Sequence, residues 1–308
     1  MSIIKVEDVA YVRFCAPDLD AMEAFLIDFG MVRAARDSQT LYMRGTGTAP
    51  FVHITELGDP GFAGVAFRAS TRGDLEALAT SQGTTVESLN APGGGHVVLL
   101  TDPDGFSVEV VSGQQTVSSI ALPSRESVND SRAHPRTDAV KRITQGPAHV
   151  VRLGHCVLNV SDFRRSEGWY KERFGFITSD EISLGEGAPS IGAFMRCDRG
   201  ETPTDHHTLF LAGLGQAKFN HAAFEVADMD DLMAGNAYLK SRERAHEWGV
   251  GRHFLGSQIF DYWRDPWGHT VEHWTDGDLM RASWGSRVSS IQDLMGVQWG
   301  MPMPPTMG

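Results

Sequence analysis

Apolar and polar positions alternate along most of the chain in short runs broken by Gly, Pro, Asp and Asn, a period-two pattern that predicts half-buried strands. In the second half a first strand is predicted at about 149–158, then a helix N-capped by Ser161 that runs to about Arg173 and is closed by Gly175. Strands follow near 176–183, 191–197 and 207–213. The cycle then restarts with a strand at about 219–227, an acid-capped helix from Asp228 to about Ser241, and strands near 253–263 and 269–275. Strand, helix and three strands form the repeating unit, written twice in each half. Such βαβββ units curl into an open, cup-shaped sheet, and paired units direct their inward residues around one cavity.

The two halves match when slid together, which settles the repeat before any motif is weighed. Thr101-Asp102-Pro103-Asp104-Gly105-Phe106-Ser107-Val108-Glu109-Val110 corresponds to Arg264-Asp265-Pro266-Trp267-Gly268-His269-Thr270-Val271-Glu272-His273. Both read Asp-Pro-x-Gly-x-x-x-Glu, a tight turn feeding a strand that points Glu109, or Glu272, to one face. Gly64-Val65-Ala66-Phe67 matches His221-Ala222-Ala223-Phe224, and Val9-Ala10-Tyr11-Val12 matches Leu153-Gly154-His155-Cys156. Between the halves, residues 114–148 are rich in Ser, Thr, Asn, Pro and charge and read as a linker. The expected organisation is therefore a domain over 1–113, the linker, a second domain over 149–276 and a tail over 277–308.

Composition narrows the partners. The net charge of −12 repels phosphate backbones and makes nucleic acid a poor partner. No apolar run is long enough to span a membrane, and the N-terminus lacks a signal peptide's layout, so a cytoplasmic protein is expected. Cys15, Cys156 and Cys197 show no CxxC spacing, which argues for reduced thiols and against thiolate zinc sites.

Of the 12 histidines, all but His53 and His96 lie beyond residue 130. A lone strand histidine is more often a hydrogen-bonded core residue than a ligand. His155 and His221, however, open successive βαβββ units and Glu272 closes the second, so a cup aims all three inward. Two neutral imidazoles and one carboxylate leave several coordination positions open, the facial arrangement of non-haem ferrous oxygenases, whereas structural zinc takes four protein ligands. The first half is an internal control: Tyr11, Gly64 and Glu109 stand at the matched positions, two of the three ligands are missing, and Glu109 is expected in a local salt bridge or facing solvent.

Gly251-Arg252-His253, eight residues, Tyr262, then Asp265-Pro266-x-Gly268 and Glu272 together resemble the signature of type I extradiol ring-cleavage dioxygenases of the vicinal oxygen chelate superfamily. The resemblance covers nearly the whole chain and departs at Asp261, where the pattern has an apolar residue, and in the length of the linker. It implies an α+β fold of two domains and four βαβββ units, with His155, His221 and Glu272 binding iron(II), or manganese(II) in rarer cases. In Asp205-His206-His207-Thr208-Leu209, His207 matches the acid–base residue better than His206, and His253 and Tyr262 match groups that hydrogen-bond the substrate oxygens. His206, His246, His269 and His273 are taken as surface or packing residues. Trp274, Trp284 and Trp299 with Met295, Met301 and Met303 either fold over the cavity or pack on the outer face.

The implied reaction joins a catechol and dioxygen and opens the ring beside, not between, the hydroxyls, in a homo-oligomeric enzyme of aromatic catabolism. Three other functions use the same scaffold: hydroquinone cleavage, glyoxalase-type isomerisation with two glutamate ligands, and metal-free drug binding. The ring substituent is marked by no motif.

Overall fold

The computed structural model describes residues 2–124, 127–185 and 187–305. Two mixed sheets carry the chain. In the first, neighbouring strands run Val32–Arg36, Thr40–Arg44, His53–Leu57, Val6–Ala16, Gly61–Ala69, Ser107–Ser112, His96–Thr101 and Glu87–Ser88. In the second they run Arg287–Ser290, Ile177–Ser183, Ser190–Arg196, Leu209–Gly213, Val150–Val160, Lys218–Val226, Thr270–Thr275, Ile259–Arg264, Ala245–His253 and Val297–Trp299. Among the described residues, 114–148 carry no helix or strand; the start of this stretch is tied to the loop between Thr40–Arg44 and His53–Leu57, with Val117 N–H donating to Thr48 O and Ile120 N–H to Thr46 O.

The internal repeat is reproduced in strand register. Tyr11 faces Ala66 and Ala66 faces Glu109 in the first sheet; His155 faces Ala223 and Ala223 faces Glu272 in the second. The strand Val150–Val160 is buried on both faces, and its period-two alternation divides the labour. Cys156, Leu158 and Val160 enter the main core, while His155, Val157 and Asn159 line a cavity. Gly154 is required by a close approach: a Cβ there would lie 2.5 Å from the Trp274 ring, which packs against this strand.

Two expectations are corrected. The helix Phe163–Phe174 is capped by Asp162, whose carboxylate accepts from Arg165 N–H, not by Ser161. Ser161 instead donates its hydroxyl and its N–H to the Asp104 carboxylate of the first half, so a tertiary contact outcompetes the local cap. The strand expected at 253–263 is two strands, Ala245–His253 and Ile259–Arg264, because Gly256 and Ser257 adopt positive φ and reverse the chain between them.

One hydrophobic core joins the halves. Phe67 of the first half packs against Tyr170, Phe174 and Phe176 of the second, with ring centroids 6.3, 5.6 and 5.2 Å away. Tyr170 donates to Asp102, and His273 stacks on Phe29 at 3.7 Å while its Nε2 bonds the Phe29 carbonyl. Phe67→Ala is therefore expected to cost about 3–5 kcal/mol. Denaturant unfolding followed by fluorescence and circular dichroism should show both halves melting in a single, earlier transition.

Candidate metal centre

His155, His221 and Glu272 come together from three adjacent strands, each offering one donor atom within 4.8 Å of the others. Glu272 Oε2 lies 3.3 Å from Nε2 of His155 and 3.3 Å from Nε2 of His221. Donors about 2.0–2.2 Å from one first-row divalent ion, at right angles to each other, are separated by about 3 Å, so the spacing fits a shared ion. Glu272 is wholly buried, and neither of its oxygens finds a well-directed hydrogen bond among the described residues. Burial alone would raise its carboxyl; the imidazoles of His155 and His221 beside it bring it well below the usual range instead. A dry, ionised carboxylate facing two imidazoles calls for a cation between them. Burial depresses His155, which favours the neutral, ligating ring. His221 is oriented from behind: its Nδ1 is 2.8 Å from Asn220 Oδ1, and Asn220 Nδ2 donates in turn to Asn159 Oδ1, which leaves Nε2 of His221 with its lone pair toward Glu272.

Three more predicted residues line the same cavity of about 220 Å3. His253 Nε2 and the Tyr262 hydroxyl share a hydrogen bond of 2.9 Å, and Tyr262 sits opposite Glu272 on the neighbouring strand. Burial beside that carboxylate pushes the Tyr262 phenol well up. The His207 ring lies 4.0 Å from that of His155, tilted by 46°, and burial followed by the neighbouring His155 and His206 holds it well below the ordinary imidazole range. His206 does not line the cavity; it is buried behind His207, with the two Nδ1 atoms 3.1 Å apart and its Nε2 2.8 Å from Asp180 Oδ2. Asp261, the departure from the signature, is a satisfied buried carboxylate that accepts from Asn236, Trp263 and His246, on the same strand as Tyr262 and one position before it.

Asn220, Trp248 and Gln258, which line the cavity, and Asp180, which holds His206 behind it, are residues that motif reading did not single out. Met295 and Met303 reach the cavity; Trp274 is core, and Trp284 and Met301 are exposed.

A family model described as the Glyoxalase/Bleomycin resistance protein/Dioxygenase superfamily matches residues 152–273. Metapyrocatechase 2 of Cupriavidus necator is 28% identical over 304 residues, covering 97% of this chain and 90% of that protein. An iron-dependent extradiol dioxygenase of Rhodococcus jostii (strain RHA1) is 25% identical over 337 residues, covering 98% of this chain and all of that protein. Over nearly its whole length the chain is similar to these extradiol dioxygenases, and most of its second half matches the superfamily's model. Among solved structures, homoprotocatechuate 2,3-dioxygenase from Arthrobacter globiformis has a TM-score of 0.80 at 20% identity, covering 100% of this chain and 92% of that one. The Mn(II)-bound glyoxalase from Novosphingobium aromaticivorans also has a TM-score of 0.80, at 24% identity, covering 98% and 94%. The chain thus has the two-domain vicinal oxygen chelate fold, which both structures share.

In the first half of the chain the equivalent position is filled from within. Glu109 accepts from Tyr11 Oη at 2.5 Å and from Arg13 Nε at 2.8 Å. The expected salt bridge is present, but the carboxylate is buried rather than solvated, and the guanidinium supplies the positive charge.

Loss of one of three ligands should cost at least ten-fold in metal affinity, as even outer-shell changes cost about 10–100-fold. Elemental analysis of His221→Ala, dialysed beside the parent, checks this. Arg13→Leu, which leaves Glu109 buried with the Tyr11 hydroxyl but without its counter-ion, should cost on the order of 3 kcal/mol yet keep the parent's metal content, read from thermal melts and the same elemental analysis.

Proposed function

We propose that this dioxygenase opens a catechol ring beside its two hydroxyls, with iron(II), or manganese(II) in its place, held by His155, His221 and Glu272. The observation that carries this reading is the convergence of that triad with His207, His253 and Tyr262 on a single cavity. Iron(II), when bound, supplies Lewis acidity toward the catechol oxygens and a redox couple between catechol and dioxygen.

The side chains around it divide the remaining work. The His253–Tyr262 hydrogen bond fixes both polar groups against a substrate oxygen and limits the ways the ring can sit. His207 is the acid–base residue. Asp180 accepts from His206 Nε2–H, which leaves His206 Nδ1 to accept from His207 Nδ1–H. That tautomer turns the lone pair of His207 Nε2 toward the cavity, where it takes a proton from a catechol hydroxyl and later returns it to the opening product. Apolar walls keep bulk water away.

The glyoxalase alternative, as expected from this scaffold, needs a second glutamate. None lines the cavity among the described residues, and Glu109 is committed to Arg13 and Tyr11. The unpaired cysteines fit a reducing cytoplasm, and a homo-oligomer belongs to the same reading.

Protein purified without air and reloaded with iron(II) should consume oxygen in step with catechol and form a coloured ring-opened product, while zinc should not support turnover. Hydroquinone cleavage without catechol cleavage, or isomerisation of a methylglyoxal–glutathione adduct without oxygen uptake, would contradict the assignment. His207→Phe should keep its metal and still bind catechol while turnover falls about 10²–10⁴-fold, as measured with an oxygen electrode.

A further inference from the structure

We infer that the preferred catechol carries an uncharged, apolar ring substituent, and that the C-terminal segment helps to select it; this rests on the ring-cleaving reading above. The cavity is polarised. Its ionisable groups, His155, His207, His221, His253 and Tyr262, cluster together with Glu272 beside them, and the amides of Asn159, Asn220 and Gln258 are the other polar groups of the lining. The rest of the lining is dominated by aliphatic and aromatic carbon. Ile182, Phe194 and Phe210 from the sheet form one hydrophobic cluster with Ile291 and Leu294, and Phe194 stacks on Phe210 at 4.1 Å.

No lysine or arginine lines the cavity among the described residues. The nearby guanidiniums are engaged elsewhere: Arg152 with Asp205 and Glu225, Arg196 with carbonyls of Arg281 and Gly285, Arg252 with Ser257 O and Asp276. A substrate carboxylate would enter without a counter-ion and would lose its hydration. An alkyl group there instead removes apolar surface from water, which is worth roughly three- to four-fold per methylene.

Ile291 and Leu294 lie on the short helix Ile291–Met295, outside the βαβββ repeats. The segment is held at both sides of the cavity. Arg287–Ser290 pairs with Ile177–Ser183, Val297–Trp299 pairs with Ala245–His253, and Trp248 Nε1 donates to Met301 O at 2.7 Å. It is thus a fixed wall that the repeats do not supply, and Leu294 is only partly buried, so it tolerates replacement.

The test compares catechol, 4-methylcatechol, 4-ethylcatechol and 3,4-dihydroxyphenylacetate on the iron-loaded protein by oxygen uptake, and on anaerobic protein by quenching of tryptophan fluorescence. In both readouts affinity or kcat/KM should rise along the alkyl series, and the carboxylate should fall at least about 100-fold below 4-ethylcatechol. Leu294→Arg should narrow that gap ten-fold or more with metal content unchanged. Should it fail to fold by circular dichroism, Leu294→Ala should flatten the alkyl preference instead. Cleavage of plain catechol with equal use of the carboxylate and the ethyl compound would overturn the inference and leave the ring-cleaving reading standing. An unaltered preference in folded Leu294 variants would overturn the role of the segment. Failure of every catechol despite bound metal would instead overturn the ring-cleaving reading.

Discussion

A carboxylate with no exposed surface and no well-directed hydrogen bond, 3.3 Å from two imidazole nitrogens, is the constraint from which the rest of this structure follows. Left to itself such a group is expensive, and its neighbours do not neutralise it fully. The sheet must bring three strands into register to hold the two histidines against it, Asn220 must fix the tautomer of one of them, and the cavity must remain open on the side where chemistry occurs. The first half shows the other solution to the same problem. There, in the same register, the buried Glu109 is matched by a guanidinium and a phenol, and the chemistry is gone.

Much of this was legible in the sequence because it is local or repeated. The Asp-Pro-x-Gly turns announce where Glu109 and Glu272 fall, and the matched strand openings pair Tyr11 with His155 and Gly64 with His221; the structure reproduces those pairings residue for residue. Most strands of the second half lie within a few residues of their expected places, since alternation is a property of each strand by itself.

What was illegible depends on partners distant in the chain. Ser161 reads as a helix cap until Asp104 is brought beside it. The strand Ala245–His253 is hidden because register shifts between His246 and Trp248 and between Gly249 and Gly251 interrupt its period and its burial is partial. His206 and His207 are indistinguishable by type and spacing; Asp180, 26 positions away from His206, distinguishes them in space. The C-terminal segment shows no repeat to compare with, so its place at the cavity wall could not be separated from packing on the outer face.

The shared core gives the protein a thermodynamic linkage between ion and fold. An ion that binds only the native chain stabilises it by an amount set by mass action, about 2.7 kcal/mol when free metal stands at a hundred times its dissociation constant. The Arg13–Glu109 pair keeps the first half's charge balance independent of metal supply, whereas the second half's depends on it. Because Phe67, Tyr170 and Phe174 belong to one core, the second half cannot loosen alone. Scarcity of free ion is thereby converted into lower stability of the whole chain, and the lifetime of the protein becomes a function of metal activity as well as of temperature.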